Sequence, residues 1–369
     1  MTEGSQARPA LLAGRIRERG LLDAVIGEAA GARPGAVFVH GEAGVGKTTL
    51  VRSATEDAAS RGFTVLWGSC LRFGAVASVL LPWVVALDRW VAEAGAEERH
   101  AVLDGIVGAD QLLPSLGGTR QDGATHLAAV AETLLARVVA RRPTMLVLDD
   151  VQWADAASRD VLSYVVAGFA HQRLVVLATC RDEGLPPGDP TFGWLADLRR
   201  MPSVTELPLD RLTRDETEEQ LAGLLHGAPA PGLVETVHAR SGGNAYLSEL
   251  LVHGLDASDE RLPGGLPADL ATALLAAWHR LGPVTREALR VLAVAGRPVP
   301  PERLVDVCAE CGLAPGDVRH ALDEAVTAGT VVPDDGSVWL RHPLLAEVLY
   351  DTYLPGSVAR VHRAWAGAC

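Results

Sequence analysis

The sequence predicts an α/β fold: a parallel sheet with helices on both faces, followed by an all-α lid and a winged-helix domain. Three observations carry this expectation. Short, wholly apolar segments alternate with helical stretches as far as residue 209, the pattern of strands buried on both faces. The first segment runs into Gly41-Glu42-Ala43-Gly44-Val45-Gly46-Lys47-Thr48, which matches G-x-x-x-x-G-K-[ST] between a strand and a helix. Beyond 209 the strand signal fades, and helices are interrupted by a single hairpin.

Gly35 to Gly41 (GAVFVHG) reads as a buried strand entering a glycine-rich turn, and Lys47 to Ala59 takes up helical spacing. Phe63 to Trp67 is the second strand, and Ala124 to Ala140 is an amphipathic helix. Thr144 to Leu148 (TMLVL) is a buried strand ending on Asp149-Asp150, and Ala156 to Ala170 a helix. Leu174 to Thr179 and Val204 to Leu209 are the last strands of the sheet. Thr213-Arg214-Asp215-Glu216 is a capping box that opens a helix reaching Leu225. Helices follow at 230–240 and 245–254, then a Gly/Pro-rich linker from Leu262 to Pro267. Helices at 268–281, 284–295, 301–311 and 316–328 precede a hairpin. Its strands, Thr330 to Val332 and Val338 to Leu340, flank Asp334-Asp335-Gly336. Three helices and a hairpin describe a winged-helix unit, and two more helical segments run from His342 to Cys369. The expected domains are a nucleotide-binding core at 10–209, a helical lid at 210–262, the winged helix at 263–345 and the start of a helical arm at 346–369.

The chain has 369 residues, a formal net charge of −13 and 48% hydrophobic residues, enough for two or three domains. An acidic balance without a basic run argues against a stand-alone nucleic-acid or anionic-membrane binder. Between Pro283 and His342 six Arg stand against nine Asp or Glu, which suits an internal switch domain better than direct DNA binding. The most apolar region, Val161 to Cys180, is broken by His171, Gln172 and Arg173, so no membrane span is expected. Met1 to Pro9 is polar and lacks the apolar stretch of a signal peptide. Five scattered cysteines, Cys70, Cys180, Cys308, Cys311 and Cys369, point to reduced thiols and a cytoplasmic location. Cys308 and Cys311 have the spacing of half a zinc site, but without a second pair they read as part of a packed helix. Of the 33 basic residues only Lys47 is Lys, and Asn244 is the single Asn. Lys and Asn have A/T-rich codons, so a GC-rich genome is inferred, and the two survivors invite a chemical reason.

In the glycine-rich turn, Gly41, Gly44 and Gly46 let successive backbone N–H groups face a phosphate where a side chain would clash. The helix starting near Lys47 aims its positive dipole end at the same anion. Lys47 would bridge the outer phosphates, with Glu42, Ala43, Val45 and Thr49 completing the loop, and the Thr48 hydroxyl would ligate Mg²⁺. Asp149 and Asp150 stand at the carboxyl edge of the next central strand, where ligands bind in open α/β sheets. Asp149 would hold Mg²⁺ through water, and Asp150 lies where a base could polarise an attacking water. The plainer alternative is that the pair caps the next helix. Arg181 ends the following strand on the same edge, placed either to read the terminal phosphate or to pair with Asp182 or Glu183. A guanine reader of the N-K-x-D type cannot be built from one Lys and one distant Asn, and Ser241-Gly242-Gly243 follows Asp149 instead of preceding it as an ABC signature would. Adenine nucleotide, ATP or ADP, is therefore the expected ligand.

Ala13-Gly14-Arg15, GEAGVGKTTL, LDDVQWAD (Leu148 to Asp155), SGGNAYLSEL (Ser241 to Leu250) and RHPLLAEVLYDTYLPG (Arg341 to Gly356) follow one another in this order. Together they resemble the N-terminal ATPase half of the large LuxR-type transcriptional regulators, the MalT-like group within the STAND class of AAA+-like ATPases. The resemblance implies an AAA+-like core that is ADP-bound and closed at rest. It further implies an ATP-bound, self-associating state once an inducer or partner protein is sensed. It also implies that backbone near Gly14 and Arg15 contacts adenine and that His342 senses the phosphates of ADP. An imidazole can make a charge-assisted bond to a phosphate, while the alternative is that His342 caps the helix beginning at Pro343. Ala245 stands where the family usually has Pro, which leaves Asn244 to terminate the preceding helix. Such regulators continue into a helical-repeat sensor and a helix-turn-helix DNA reader, so a chain stopping at Cys369 is expected to be a fragment, a truncated product or a short paralogue.

The reading is a slowly hydrolysing ATP/ADP switch using Mg²⁺. A constitutive AAA+-type ATPase, a non-hydrolysing module glued by nucleotide and a P-loop kinase stand as rivals.

Overall fold

A computed structural model of the chain describes residues 12–70, 79–117, 123–168, 172–181, 189–263, 268–334 and 336–367. The chain divides into two compact units, with the boundary between Asp210 and Arg211.

The first unit opens with α1 (Ile16–Ala30), β1 (Gly35–Gly41), α2 (Lys47–Ser60), β2 (Thr64–Ser69), α3 (Leu81–Glu93), α4 (Ala96–Leu103) and α5 (Ala109–Leu112). It continues with α6 (Ala124–Arg141), β3 (Thr144–Asp149), α7 (Ala156–Ala167), β4 (Leu174–Arg181), α8 (Pro190–Arg199) and β5 (Val204–Pro208). The five strands form one sheet, ordered β2-β3-β4-β1-β5 and parallel throughout. Every residue of β3 is buried, and in β4 only Arg181 is exposed, as a sheet covered on both faces requires. Leu22 and Ile26 of α1 and Leu50 and Val51 of α2 pack in one cluster with Val37, Val39, Met145 and Val147 of the sheet. The expected strands lie within two residues of the observed ones. The helices α1, α3, α4, α5 and α8 were not expected. In α1 only Leu22, Ile26 and Ala29 are buried, and Gly20 and Gly27 dilute its helical signal; its place is decided by packing on the sheet.

Register brings the chemistry to one edge. Ser69 pairs with Asp149, Val39 with Thr179 and Gly41 with Arg181. The carboxyl ends of β1, β3 and β4 therefore stand side by side, although β1 and β3 are far apart in sequence.

The second unit comprises α9 (Arg214–Leu224), α10 (Pro231–Ser241), α11 (Ala245–Leu251), α12 (Ala268–Trp278), α13 (Pro283–Ala295), α14 (Pro301–Glu310) and α15 (Pro315–Thr327). The antiparallel pair β6 (Val331–Asp334) and β7 (Ser337–Leu340) follows, then α16 (Pro343–Asp351) and α17 (Pro355–Gly367). The capping box is present: Thr213 accepts from the Glu216 N–H, and the Glu216 carboxylate accepts from the Thr213 N–H at 2.9 Å. One apolar cluster runs from Leu221 through Leu289, Leu304, Val318 and Leu349 to Ala364. Cys308 is buried on α14, and Cys311 stands at that helix's C-terminal cap.

Asn244 does not end α10. Gly242 (φ 59°) and Gly243 (φ 76°) take the left-handed conformations there. Asn244, at φ −75°, instead starts α11, its Oδ1 accepting from the Leu247 N–H at 3.2 Å. With two glycines preceding it, its tolerance of positive φ is not needed, and its side chain serves as an N-cap. Ala170, His171, linker residues 264–267, Asp335 and Cys369 lie outside the described residues. Among the described residues no helix is long and apolar enough to cross a membrane.

Candidate functional site

The glycine-rich turn closes β1 and opens α2. A Cβ on Gly41 would lie 2.5 Å from the Leu209 carbonyl oxygen, so only glycine lets the loop leave the sheet there. Gly44 (φ 79°) and Gly46 (φ 107°) adopt conformations that side chains resist. Val45 is buried and anchors the loop in the core. The Lys47 ammonium turns back over this loop and donates to the Gly41 and Glu42 carbonyls at 2.9 and 2.8 Å. Thr49, one residue past Thr48 in the first turn of α2, is half-buried.

Across the sheet edge, the Thr48 hydroxyl lies 3.2 Å from each oxygen of the Asp149 carboxylate. Residues 101 positions apart thus meet, as the sequence expectation requires of a shared metal site. A hydroxyl and a carboxylate beside a glycine cradle form a hard-oxygen donor set, which suits Mg²⁺ held jointly with phosphate oxygens.

Thr179 is a site residue that sequence reasoning missed. Its hydroxyl donates to Asp149 Oδ1 at 2.5 Å and accepts the Asp150 N–H at 2.8 Å. The available signal was a lone Thr directly after the apolar run LVVLA. Burial pushes the Asp149 carboxyl above the usual carboxylate range, and the hydrogen bonds from Thr179 and Thr48 pull it back. Thr179→Val removes the larger of these bonds and should cost about 1–3 kcal/mol at neutral pH. A carboxyl raised in the folded state loses stability as pH rises through its folded pKa, and the variant raises it further. The deficit in Tm should therefore widen from acid to neutral pH, which melts across that range would measure.

Asp150 sits in the left-handed region at φ 60°. Its carboxylate pairs with Arg181, Nη2 to Oδ2 at 3.0 Å and Nε to Oδ1 at 3.4 Å. This partner was named by neither sequence reading of Arg181; Asp182 and Glu183 lie outside the described residues. Asp149 and Asp150 do not cap α7, because that role falls to Asp155, which accepts from the Ser158 N–H. Cys70 donates its backbone N–H to the Asp149 carbonyl at 2.8 Å. Burial and the neighbouring carboxylates push its thiol up to about 12, so it stays protonated.

Gly14 and Arg15 both take left-handed conformations just before α1. The Arg15 side chain is buried, and its guanidinium donates to the carbonyls of Val45 at 3.2 Å and Asp210 at 2.6 Å. It braces the glycine loop from behind, a role the sequence did not announce. His342 belongs to the other compact unit, at the N-cap position of α16, where its side chain makes no capping bond.

Residues 11–177 match the AAA ATPase domain family. An uncharacterized protein of Rhizobium meliloti (strain 1021) is 24% identical over 89% of this chain, which spans about a third (34%) of that protein's length. The Walker-type ATPase of Pyrococcus abyssi shares 13% identity, with 92% of this chain and 96% of that one covered at a TM-score of 0.55. A STAND protein with a tetratricopeptide repeat sensor from Pyrococcus horikoshii is 14% identical, with 99% of this chain and 47% of that one covered, at a TM-score of only 0.40. The glycine loop, β1 to β3, the acidic strand end and the start of β4 all lie within the matched stretch, which carries the likeness to the AAA ATPase domain family.

Proposed function

We propose that this chain is a slowly hydrolysing, ATP/ADP-operated switch, the ATPase module of a LuxR-type, MalT-like regulator of the STAND class working in the cytoplasm. The observation that carries the nucleotide reading is the meeting of Thr48 and Asp149 beside the Gly41–Lys47 cradle. In this reading the loop amides and Lys47 take the phosphates, while Thr48 and Asp149 hold Mg²⁺, which supplies charge neutralisation at the phosphoryl oxygens. Asp150 orients the attacking water, and Arg181 is close enough to that carboxylate to exchange it for the terminal phosphate.

The regulatory part of the reading assigns α9–α11 as a lid, α12–α15 with the β6–β7 hairpin as a winged helix, and α16–α17 as the first helices of an arm. His342 would sense ADP phosphates, backbone near Gly14 and Arg15 would contact adenine, and the ATP state would self-associate on a signal from an inducer or partner protein. The excess of acid over Arg between Pro283 and His342 favours an internal role for the winged helix over DNA binding. An Asp150 carboxylate already paired with Arg181 favours slow turnover over a constitutive ATPase.

Asp150→Asn is the test. A hydrolytic switch should bind ATP normally but cleave it at least tenfold more slowly, so that the variant purifies or equilibrates with ATP. Wild-type turnover should lie well below the usual enzyme range of about 1 s⁻¹ and above. Unchanged cleavage in Asp150→Asn would remove Asp150 from the chemistry, and rapid steady turnover would favour the constitutive ATPase.

A further inference from the structure

We propose that Gln152 is a positioning residue for ATP cleavage, a two-ended clamp that fixes the Asp150 carboxylate independently of Arg181. The proposal rests on the ATPase reading above and adds to it a residue outside the phosphate loop and the acidic pair.

Gln152 stands in a single 3₁₀ turn, Val151–Trp153, directly after Asp150. Its side chain donates Nε2–H to Asp150 Oδ1 at 3.0 Å, and its Oε1 accepts the Arg181 backbone N–H at 3.2 Å. The residue is 4% exposed, whereas the side chains of Asp150 and Arg181 are 27% and 42% exposed. One end of the clamp is thus tied to the backbone of β4, at the rigid end of a central strand, and the other to the carboxylate. A buried amide that let go of either partner would leave an unsatisfied polar group, so the clamp is stiff.

The Arg181 bond is of a different kind. An ion pair between partly exposed groups is weak, and the guanidinium sits on a long, solvent-accessible side chain. Arg181 can leave Asp150 at little expense when a competing anion arrives. With Arg181 gone, the backbone of Asp150 is still fixed through its N–H bond to Thr179. Among the described contacts its carboxylate is then oriented by Gln152. Oδ1 stays engaged by the amide, which leaves Oδ2 as the oxygen available to a water. Gln is the side chain of this length that can donate to a carboxylate and accept from a backbone N–H at once; Glu only accepts at neutral pH, and Met cannot donate and accepts only weakly.

Two variants of the full chain, Gln152→Met and Gln152→Glu, test this by separating ATP affinity from single-turnover cleavage. Both should bind ATP within about twofold of wild type and cleave it at least tenfold more slowly, the scale of a general base losing its geometry. Gln152→Glu keeps the acceptor for the Arg181 N–H and replaces the donor to Asp150 by a like charge that pushes its carboxylate away, so it carries the test even if the Met variant is poorly folded. In an Asp150→Asn background neither substitution should slow cleavage further, because the clamp acts only through that carboxylate. Wild-type cleavage by Gln152→Glu, or an equal loss on top of Asp150→Asn, would overturn the proposal and leave Gln152 a packing residue. A wild-type chain that binds ATP but never cleaves it would instead overturn the hydrolytic reading on which the proposal stands.

Discussion

Lys47→Ala is expected to abolish the stabilisation that nucleotide gives the protein. Ligand at 100 times its dissociation constant adds about 2.7 kcal/mol to a folded state that alone binds it. For a unit of roughly 200 residues this corresponds to a rise in Tm of about 5–10 °C. The effect should vanish in the variant because the Lys47 ammonium lies over the glycine loop, held by the carbonyls of Gly41 and Glu42. Anionic phosphate oxygens attract an ammonium more strongly than those neutral carbonyls do. Thermal melts with and without ATP and Mg²⁺, on both proteins, decide the matter. A shift of equal size in Lys47→Ala would remove Lys47 from the site. Far-UV circular dichroism of the variant should match wild type, since the loop itself is anchored by Val45 and braced by Arg15.

Gly68→Ala should be the most destabilising small substitution in the sheet. Gly68 lies in β2 where the first turn of α3 comes down on the strand, and a Cβ there would stand 2.1 Å from the Pro82 carbonyl oxygen and 2.7 Å from its carbon. Both are backbone atoms at the start of a helix that carries the buried Trp83 and Leu87, so neither can step aside cheaply. Overpacking against backbone reaches the upper end of the usual range, about 3 kcal/mol, which lowers Tm by about 6–12 °C in a unit of this size. Gly68 pairs with Leu148, one register position before Asp149, so the melts are to be compared without nucleotide. Melts that coincide with wild type would mean that α3 slides freely on β2. The same substitution at Gly62, where nothing stands within 4 Å but φ is 83°, provides a milder control for backbone strain alone.

The sheet and its phosphate loop were legible because both rest on short-range rules. Five apolar runs became five strands, and a glycine spacing became a loop with positive φ at Gly44 and Gly46. The capping box at Thr213 worked for the same reason, its partner being three residues away. What escaped was decided by neighbours distant in sequence. The charge-rich α1 is held by packing on the sheet through Leu22 and Ile26, a contact that no local period announces. Arg181 offered the adjacent acids as obvious partners, yet parallel pairing of the strand ends brings it to Asp150. Thr179 meets the Asp149 carboxylate, and Gln152 the Arg181 N–H, only where β3 and β4 lie side by side. Asn244 starts α11 rather than ending α10 because Gly242 and Gly243 already supply the positive φ there.

Adenine nucleotide is expected to occupy this protein and to govern its state. The direct measurement is to denature freshly purified protein, identify the released nucleotide by anion-exchange chromatography, and titrate emptied protein with ADP and with ATP and Mg²⁺. The account predicts close to one ADP per chain on release, and saturable binding of both nucleotides at one site that Lys47→Ala destroys. Protein that releases nothing and takes up neither ADP nor ATP would contradict it.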